Sequence, residues 1–169
     1  LGNHSSGKMG YAIADEFARQ GANVTLVSGP VNIVTDNTSI KRIDVISADQ
    51  MLKEVEKLWE QADIGVFTAA VADYKPSESA EEKIKKTSSD LNIKLVENPD
   101  ILKWAGMNKK ENQYLVGFAL ETHNMKENAT KKLSAKNLNM IVMNSLKDIG
   151  AGFAGDTNKI SILDNRNNF

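Results

Sequence analysis

The 169-residue chain has no cysteine, two histidines, three prolines and only 6% aromatic residues. Without cysteine there is no disulfide framework, thiolate zinc site, iron–sulfur cluster or protein thiol nucleophile. His4 and His123 are the only histidines, so neither a His-rich metal centre nor a Ser-His-Asp hydrolase is expected. An excess of either charge is also missing, because 21 basic residues against 22 acidic ones leave a net charge of −1. Such a chain exerts no long-range pull on phosphate backbones or anionic lipid, and no dominant basic patch substitutes for one. Neither nucleic acid nor a membrane is therefore expected as a partner. No run approaches the roughly 18 consecutive apolar residues of a membrane span, and no signal-peptide pattern is present. The expected location is the cytoplasm. What remains, 41% apolar and 25% charged residues, is the composition of one ordinary domain of α/β size.

Hydrophobic periodicity organises that domain. A glycine-rich stretch, Gly2 to Gly10 (GNHSSGKMG), opens the chain at once. In doubly wound folds such a loop follows a strand, so a first strand is expected to be missing ahead of Leu1. Met9, Ile13 and Phe17, with Ala14 and Ala18, form an apolar stripe at helical spacing that Gly21 ends. Strands are predicted over Asn23 to Ser28, Lys41 to Ile46 and Ile64 to Ala70. Ser47 with Gln50 reads as a capping box for a helix through Met51, Val55 and Leu58. Residues Lys75 to Asp90 break the pattern, being rich in Lys, Glu and Ser, and read as a polar flap outside the core. Leu91, Ile93 and Leu95 suit a half-exposed strand, and Asn98-Pro99-Asp100 starts a short helix. Tyr114 to Leu120 is a buried strand, Asn124 with Glu127 is expected to cap a helix to about Lys136, and Met140 to Asn144 is a further strand. After a loop at Gly150 to Asn158, a last strand runs from Ile160 to Leu163. With no repeat and no linker, the class is α/β: Rossmann-like, doubly wound, with a mostly parallel sheet and a flap excursion after the central strand.

Several segments suggest chemistry. Gly2-x-x-x-x-Gly7-Lys8 satisfies most of a Walker A loop, but Met9 stands where a hydroxyl should reach Mg²⁺. Gly7-x-x-Gly10 opening a helix instead resembles the end of a dinucleotide fingerprint, with backbone amides free to approach an anion. Asn3 offers a carboxamide able to donate and accept toward a reacting carbonyl, although an asparagine alone is more often a turn residue. Ala69 to Tyr74 (AAVADY) ends the most apolar strand at the carboxyl edge of the sheet, where open α/β sheets bind ligands. Asp73 there could accept from a ribose hydroxyl, help to place a metal, or simply close a turn. Lys83, Lys85 and Lys86 lie in the flap and could close over a polyphosphate; Lys132 and Lys136 share a helix face at i, i+4 spacing. Solvated surface is the ordinary fate of such lysines.

In order along the chain, NHSSGKMG, VTLVSGP, AAVADY, EKIKK, NPDIL and GFALET closely resemble the phosphopantothenoylcysteine synthetase domain, also called phosphopantothenate–cysteine ligase, of bacterial coenzyme A biosynthesis. The resemblance spans nearly the whole chain. It implies a two-step ligation of 4'-phosphopantothenate with cysteine through an acyl-cytidylate made from CTP, with Mg²⁺ and a homodimer. It further implies a natural fusion to a flavin-dependent decarboxylase domain, and a domain trimmed at its first strand and its C-terminal end. By position, Asn3 matches the asparagine that contacts the acyl-cytidylate, and Lys83 the first lysine of the flap, assigned to the triphosphate. Phe67, Thr68, Ala69 and Asp73 match the strand-end segment that holds the nucleotide. Pro99, Asp100, Ile101 and Leu102 match the following P-D-I segment, Phe118 the phenylalanine near the base, and Lys132 and Lys136 two nucleotide-contacting lysines. Leu120 departs from the alanine often found there. The residue inventory agrees, since joining a carboxylate to a triphosphate calls for charge neutralisation and alignment rather than a protein nucleophile.

Two other readings compete. An NAD(P)-dependent oxidoreductase opens in the same way, but would want an acidic residue or arginine near Val27-Ser28-Gly29-Pro30, and no Tyr-x-x-x-Lys pair is present. The other is an inactive nucleotide-binding or dimerisation fragment, because the family's Gly-Gly-Thr strand and a phosphopantothenate-binding arginine fall upstream of Leu1.

Overall fold

The structure, a computed structural model, describes residues 5–78, 92–120, 124–144, 159–166 and 168–169. Helix α1 (Lys8–Arg19) buries Tyr11 and Ala14 from its apolar stripe. It ends in a Schellman turn, in which the Gly21 N–H donates to the Ala18 carbonyl and the Ala22 N–H to that of Phe17, both at 3.0 Å. The turn requires φ of +90° at Gly21, a left-handed value that glycine adopts without strain. Strand β1 (Thr25–Ser28) then pairs in parallel with β2 (Lys41–Asp44). Ser47 caps α2 (Ala48–Trp59) as the sequence predicts: its hydroxyl accepts from the Gln50 N–H at 3.2 Å. The Gln50 carboxamide oxygen returns the bond to the Ile46 N–H, one residue earlier than in the usual box.

Strand β3 (Ile64–Phe67), β6 (Tyr114–Leu120) and β7 (Met140–Asn144) form a parallel ladder, to which β8 (Ile160–Asp164) adds antiparallel at the β7 edge. With α3 (Ile101–Met107) and α4 (Met125–Ala135), the class is the predicted Rossmann-like α/β fold with a mostly parallel sheet. Register assigns the two sheet faces. Leu115, Ala119, Ile141, Met143 and Leu163 point to one face, where they bury against Trp59 of α2, Ala105 of α3, and Ala129 and Leu133 of α4. Alternate residues take the other face, where Ile64, Tyr114, Leu120, Ile160 and Ile162 are exposed. Among the described residues no ladder joins β1 to β3.

Several boundaries differ from the sequence reading. The predicted strand 64–70 stops at Phe67, because the β6 register ends there and residues 68–70 leave the ladder. The polar excursion begins in regular structure: β4 (Tyr74–Pro76) pairs antiparallel with β5 (Leu95–Glu97), and the strand expected over Leu91, Ile93 and Leu95 instead begins at Leu95, with Leu91 outside the described residues. Residues 79–91 of the flap, and the loop at 150–158, lie outside the described residues. Asn124 does not cap α4 with its side chain; it sits at the N-cap position with φ of +49°, where the side chain makes no cap hydrogen bond. Pro99 precedes α3, and Asp100 is the cap.

The tightest helix contact joins α3 to the end of α4. A Cβ on Gly106 would overlap the backbone carbonyl of Lys136, an atom that cannot swing aside, whereas one on Gly21 would meet nothing within 4 Å. Gly106→Ala is therefore expected to lower unfolding free energy by about 2–3 kcal/mol through overpacking, and Gly21→Ala by about 1 kcal/mol through backbone strain alone. Urea denaturation of the two variants checks the order, and a Gly106→Ala cost no larger than that of Gly21→Ala contradicts the packing.

Candidate active site at the strand ends

Parallel strands place their carboxyl ends at one edge, and α1 starts there. The Tyr11 hydroxyl donates to the buried Ser28 Oγ at the end of β1 (3.0 Å), and Ser28 Oγ donates onward to the Gly29 carbonyl. On the other side, a Cβ at Gly10 would lie 2.6 Å from Thr68 Oγ1, so the absence of a side chain lets this turn of α1 approach the end of β3 with the Thr68 hydroxyl where it stands. Gly7, with φ of +79°, occupies the N-cap position and supplies no side-chain cap. The first turn of α1 thus receives no bond from its N-cap side chain, although the Lys8 N–H donates to Ser6 Oγ at 3.4 Å, and it lies beside two strand ends, which is the arrangement that receives an anion in dinucleotide folds. A cavity of about 450 Å³ adjoins it, lined by Ser5, Ser6, Lys8, Pro30, Val31, Asn32 and Ile33. The loop from Pro30 to Ile33 was not a sequence candidate. It is held by Thr35 Oγ1 donating to Asp15 (2.7 Å) and by Arg42 Nη1 donating to the Ile33 carbonyl (3.3 Å).

The second wall is the predicted strand-end segment and its partner. Asn98 fastens them: its N–H donates to the Asp73 carbonyl and its Nδ2 to the Ala72 carbonyl, each at 2.8 Å. Pro99 and Asp100 are thereby brought beside Ala72 and Asp73. Not every predicted residue there presents its side chain to a ligand. Ile101 is only 5% exposed and Leu102 packs on the core, where its methyls fill the space left by Gly117. Phe67 turns inward and meets Trp59 edge-on with centroids 6.0 Å apart. Register puts Phe67 and Phe118 on opposite faces of the sheet, since Phe67 aligns with Gly117. Thr68 and Ala69, just past β3, are exposed enough to line the edge.

The lysines of α4 occupy different settings. Lys132 lies in the last turn, whereas Lys136 is the C-cap residue beyond the helix, so the expected common helical face is only approximate. The Lys136 ammonium reaches Asp100, 3.1 Å from Oδ1 and 2.9 Å from Oδ2. Around it is a set of residues that sequence reasoning did not single out. Asn137, at φ of +51°, donates to the Gly106 carbonyl (2.9 Å), while Lys109 Nζ donates to the Asn137 carbonyl (2.7 Å) and to Asn139 Oδ1 (2.8 Å). Asn139 Oδ1 also accepts from the Leu115 N–H, tying the group to β6. The one local signal was the run Lys136-Asn137-Leu138-Asn139, in which two asparagines follow a helix.

Asn3 and Lys83 lie outside the described residues. Partial burial alone would raise the Asp100 carboxyl, but bonds from Lys136 and the Lys103 N–H, with both ammonium charges, outweigh it and hold the group below its ordinary value of 3.8. Burial pushes the Lys109 ammonium down from 10.5. Among the described residues no three His, Asp or Glu side chains come together as a metal cage, and no helix is long and apolar enough to cross a membrane.

Residues 1–169 match the family described as the DNA/pantothenate metabolism flavoprotein C-terminal domain. The chain is 46% identical over 166 residues to the coenzyme A biosynthesis bifunctional protein CoaBC of Escherichia coli K12, covering 96% of this chain and 41% of that protein. It is 48% identical over 168 residues to a cysteine/cysteine sulfinic acid decarboxylase of an unknown prokaryote, covering 99% of this chain and 47% of that one. The chain thus spans less than half the length of these curated relatives. Among solved structures, the C-terminal domain of a CoaBC protein superposes with a TM-score of 0.78 at 40% identity, over 97% of this chain and 71% of that chain. A Cab2 H337A mutant in complex with phosphopantothenate-cysteine shares the fold, with a TM-score of 0.69 at 15% identity over 98% of this chain and 70% of that chain.

Asp100→Asn keeps an N-cap acceptor for Lys103 and deletes the charge. The Asp100 side chain is 44% exposed, so the pair is expected to stabilise the fold by less than about 1 kcal/mol near neutral pH. Because the folded-state value is depressed, that stabilisation is present above 3.8 and is lost as pH falls through the folded value. Urea midpoints of wild type and Asp100→Asn should differ near neutrality and converge once the pH falls below the depressed folded-state value of Asp100; a constant difference across that range contradicts the linkage.

Proposed function

Because this chain belongs to the family of the DNA/pantothenate metabolism flavoprotein C-terminal domain, we propose that it carries the phosphopantothenate–cysteine ligase step of coenzyme A biosynthesis, with CTP as the activating nucleotide. The carboxylate of 4'-phosphopantothenate attacks the α-phosphate of CTP, forming an acyl-cytidylate and expelling pyrophosphate. The cysteine amine then attacks the acyl carbon, an amide bond forms as the acyl–phosphate bond breaks, and CMP leaves. Both steps bring anions together, so the protein's task is to neutralise charge and align reactants.

One observation carries the reading: in a chain 46% identical to CoaBC, an α1 N-terminus whose N-cap residue is a glycine meets the end of β3 through Gly10 and Thr68. That geometry suits an anionic group at the strand ends, with Thr68, Ala69, Asp73 and the Pro99-Asp100 segment as walls, and with Lys132 and Lys136 as cationic contacts. Phe118, on the sheet face opposite Phe67, is the member of that pair left available to a base. In this reading Asn3 contacts the acyl-cytidylate and Lys83 the triphosphate.

Mg²⁺ fits the donor set as an ion carried mainly by nucleotide phosphates, since such sites need only one or two carboxylates and not a cage; bound there, it would neutralise phosphate charge. Asp73, at the strand end, is the carboxylate placed to assist. The proposal extends to a homodimer, a cytoplasmic location and a flavin-dependent decarboxylase domain in the same polypeptide. Two of the relatives, a bifunctional protein and a decarboxylase, agree with such a fusion.

The reading predicts pyrophosphate release when the full protein is mixed with CTP, Mg²⁺ and 4'-phosphopantothenate in the absence of cysteine; no release above background from folded protein overturns it. Lys83→Gln should abolish formation of the intermediate, whereas Asn3→Asp should chiefly impair its stabilisation and turnover, and unchanged rates in both remove those roles. The absence, among the described residues, of a ladder joining β1 to β3 favours a second reading for these 169 residues tested alone, nucleotide binding without turnover. Calorimetric CTP binding without pyrophosphate release distinguishes it.

A further inference from the structure

The position of Lys136 poses a physical question. Its backbone carbonyl abuts Gly106 near the end of α3, while its ammonium bonds Asp100 at the start of the same helix. Six residues of α-helix separate those points, about 9 Å at the standard rise. A lysine at a helix C-cap is ordinarily drawn to the last carbonyls of its own helix, where the macrodipole is negative. Here the side chain runs along α3 instead, toward the end of that helix which Asn98 fastens to Ala72 and Asp73. The Lys136 side chain is 28% exposed against 44% for Asp100, so the pair is neither fully solvated nor sealed. The other groups facing Asp100 are the Lys103 N–H, which it caps at 3.0 Å, and the Lys103 ammonium charge.

We infer that Asp100 is a positioning residue for Lys136: its carboxylate holds the Lys136 ammonium at the ligand edge of the sheet, and Asp100 acts on substrate through that lysine. The backbone lock of Gly106, Asn137 and Lys109 fixes where the lysine starts, and Asp100 fixes where it ends. Holding a cation in place before the anion arrives removes part of the ordering cost of binding. The pair can be shared with an incoming phosphate, because an ammonium has three donors. The identity of that anion as the phosphates of CTP rests on the ligase reading above.

The test is a double-mutant cycle in the full protein with Asp100→Asn, Lys136→Gln and the two combined, at low ionic strength. Asp100→Asn retains the helix cap, so loss of folding does not confound it. Each single substitution should raise KM for CTP about tenfold with a smaller change in kcat, and the double variant should be no worse than either single. Effects that multiply, or an Asp100→Asn enzyme with unchanged KM, overturn the inference. If wild type shows no CTP-dependent pyrophosphate release, it is the ligase reading that fails. The pair is then decided by NMR of the Lys136 ε-carbon, whose shift should follow the acid titration of Asp100 in wild type and lose that step in Asp100→Asn. A Lys136 signal indifferent to Asp100 overturns the positioning role whatever the nucleotide.

Discussion

The ligand edge of this molecule depends on how closely α1 can approach the end of β3. That distance is set by the missing side chain at Gly10, against which Thr68 Oγ1 packs. A methyl group there would force either Thr68 Oγ1 or the helix start to shift, loosening the convergence of the first turn of α1 with Ser28 on one side and Thr68 on the other. The same economy recurs at Gly106, which seats the end of α4, and at Gly117, which receives Leu102. Three contacts at glycine therefore fix, respectively, the first turn of α1, the lysine at the end of α4 and the Pro99-Asp100-Ile101 segment.

Charge enters on top of this framework and does not hold it up. The buried interior is aliphatic around Leu115, Ile141, Met143 and Leu163, with Trp59 closing one end. Its polar connectors are neutral amides: Gln113 donates to the Trp59 and Ala62 carbonyls, and Asn139 bridges Lys109 to β6. Uncharged connectors cost less to bury than ions and leave lysines and carboxylates to the edge, where they can exchange partners with a ligand.

Local chemistry made much of this visible in the sequence. The stripe of α1, the Ser47 cap and the strands around Val116 and Val142 each follow from spacing or from one side chain bonding its own neighbourhood. Asn124 shows the limit of that method, because the residue type suits a cap and the chain adopts a left-handed turn that points the carboxamide elsewhere. Relations across the chain were not visible. That Phe67 faces the core while Phe118 faces away follows only from the register of β3 against β6. That Asp100 meets Lys136, 36 positions later, follows only from the packing of α3 on α4. Motifs located the edge; they did not say which of its residues present side chains there and which lend only backbone.

The second face of the four-stranded sheet has a colloidal consequence. Leu120, Ile160 and Ile162 are exposed together at one end of it, and Ile64 and Tyr114 at the other. A chain with a net charge of −1 has almost no electrostatic repulsion to keep such patches apart. Contact between two such faces is therefore opposed by little net charge, and the apolar residues at the two ends of the sheet are where such contact would begin.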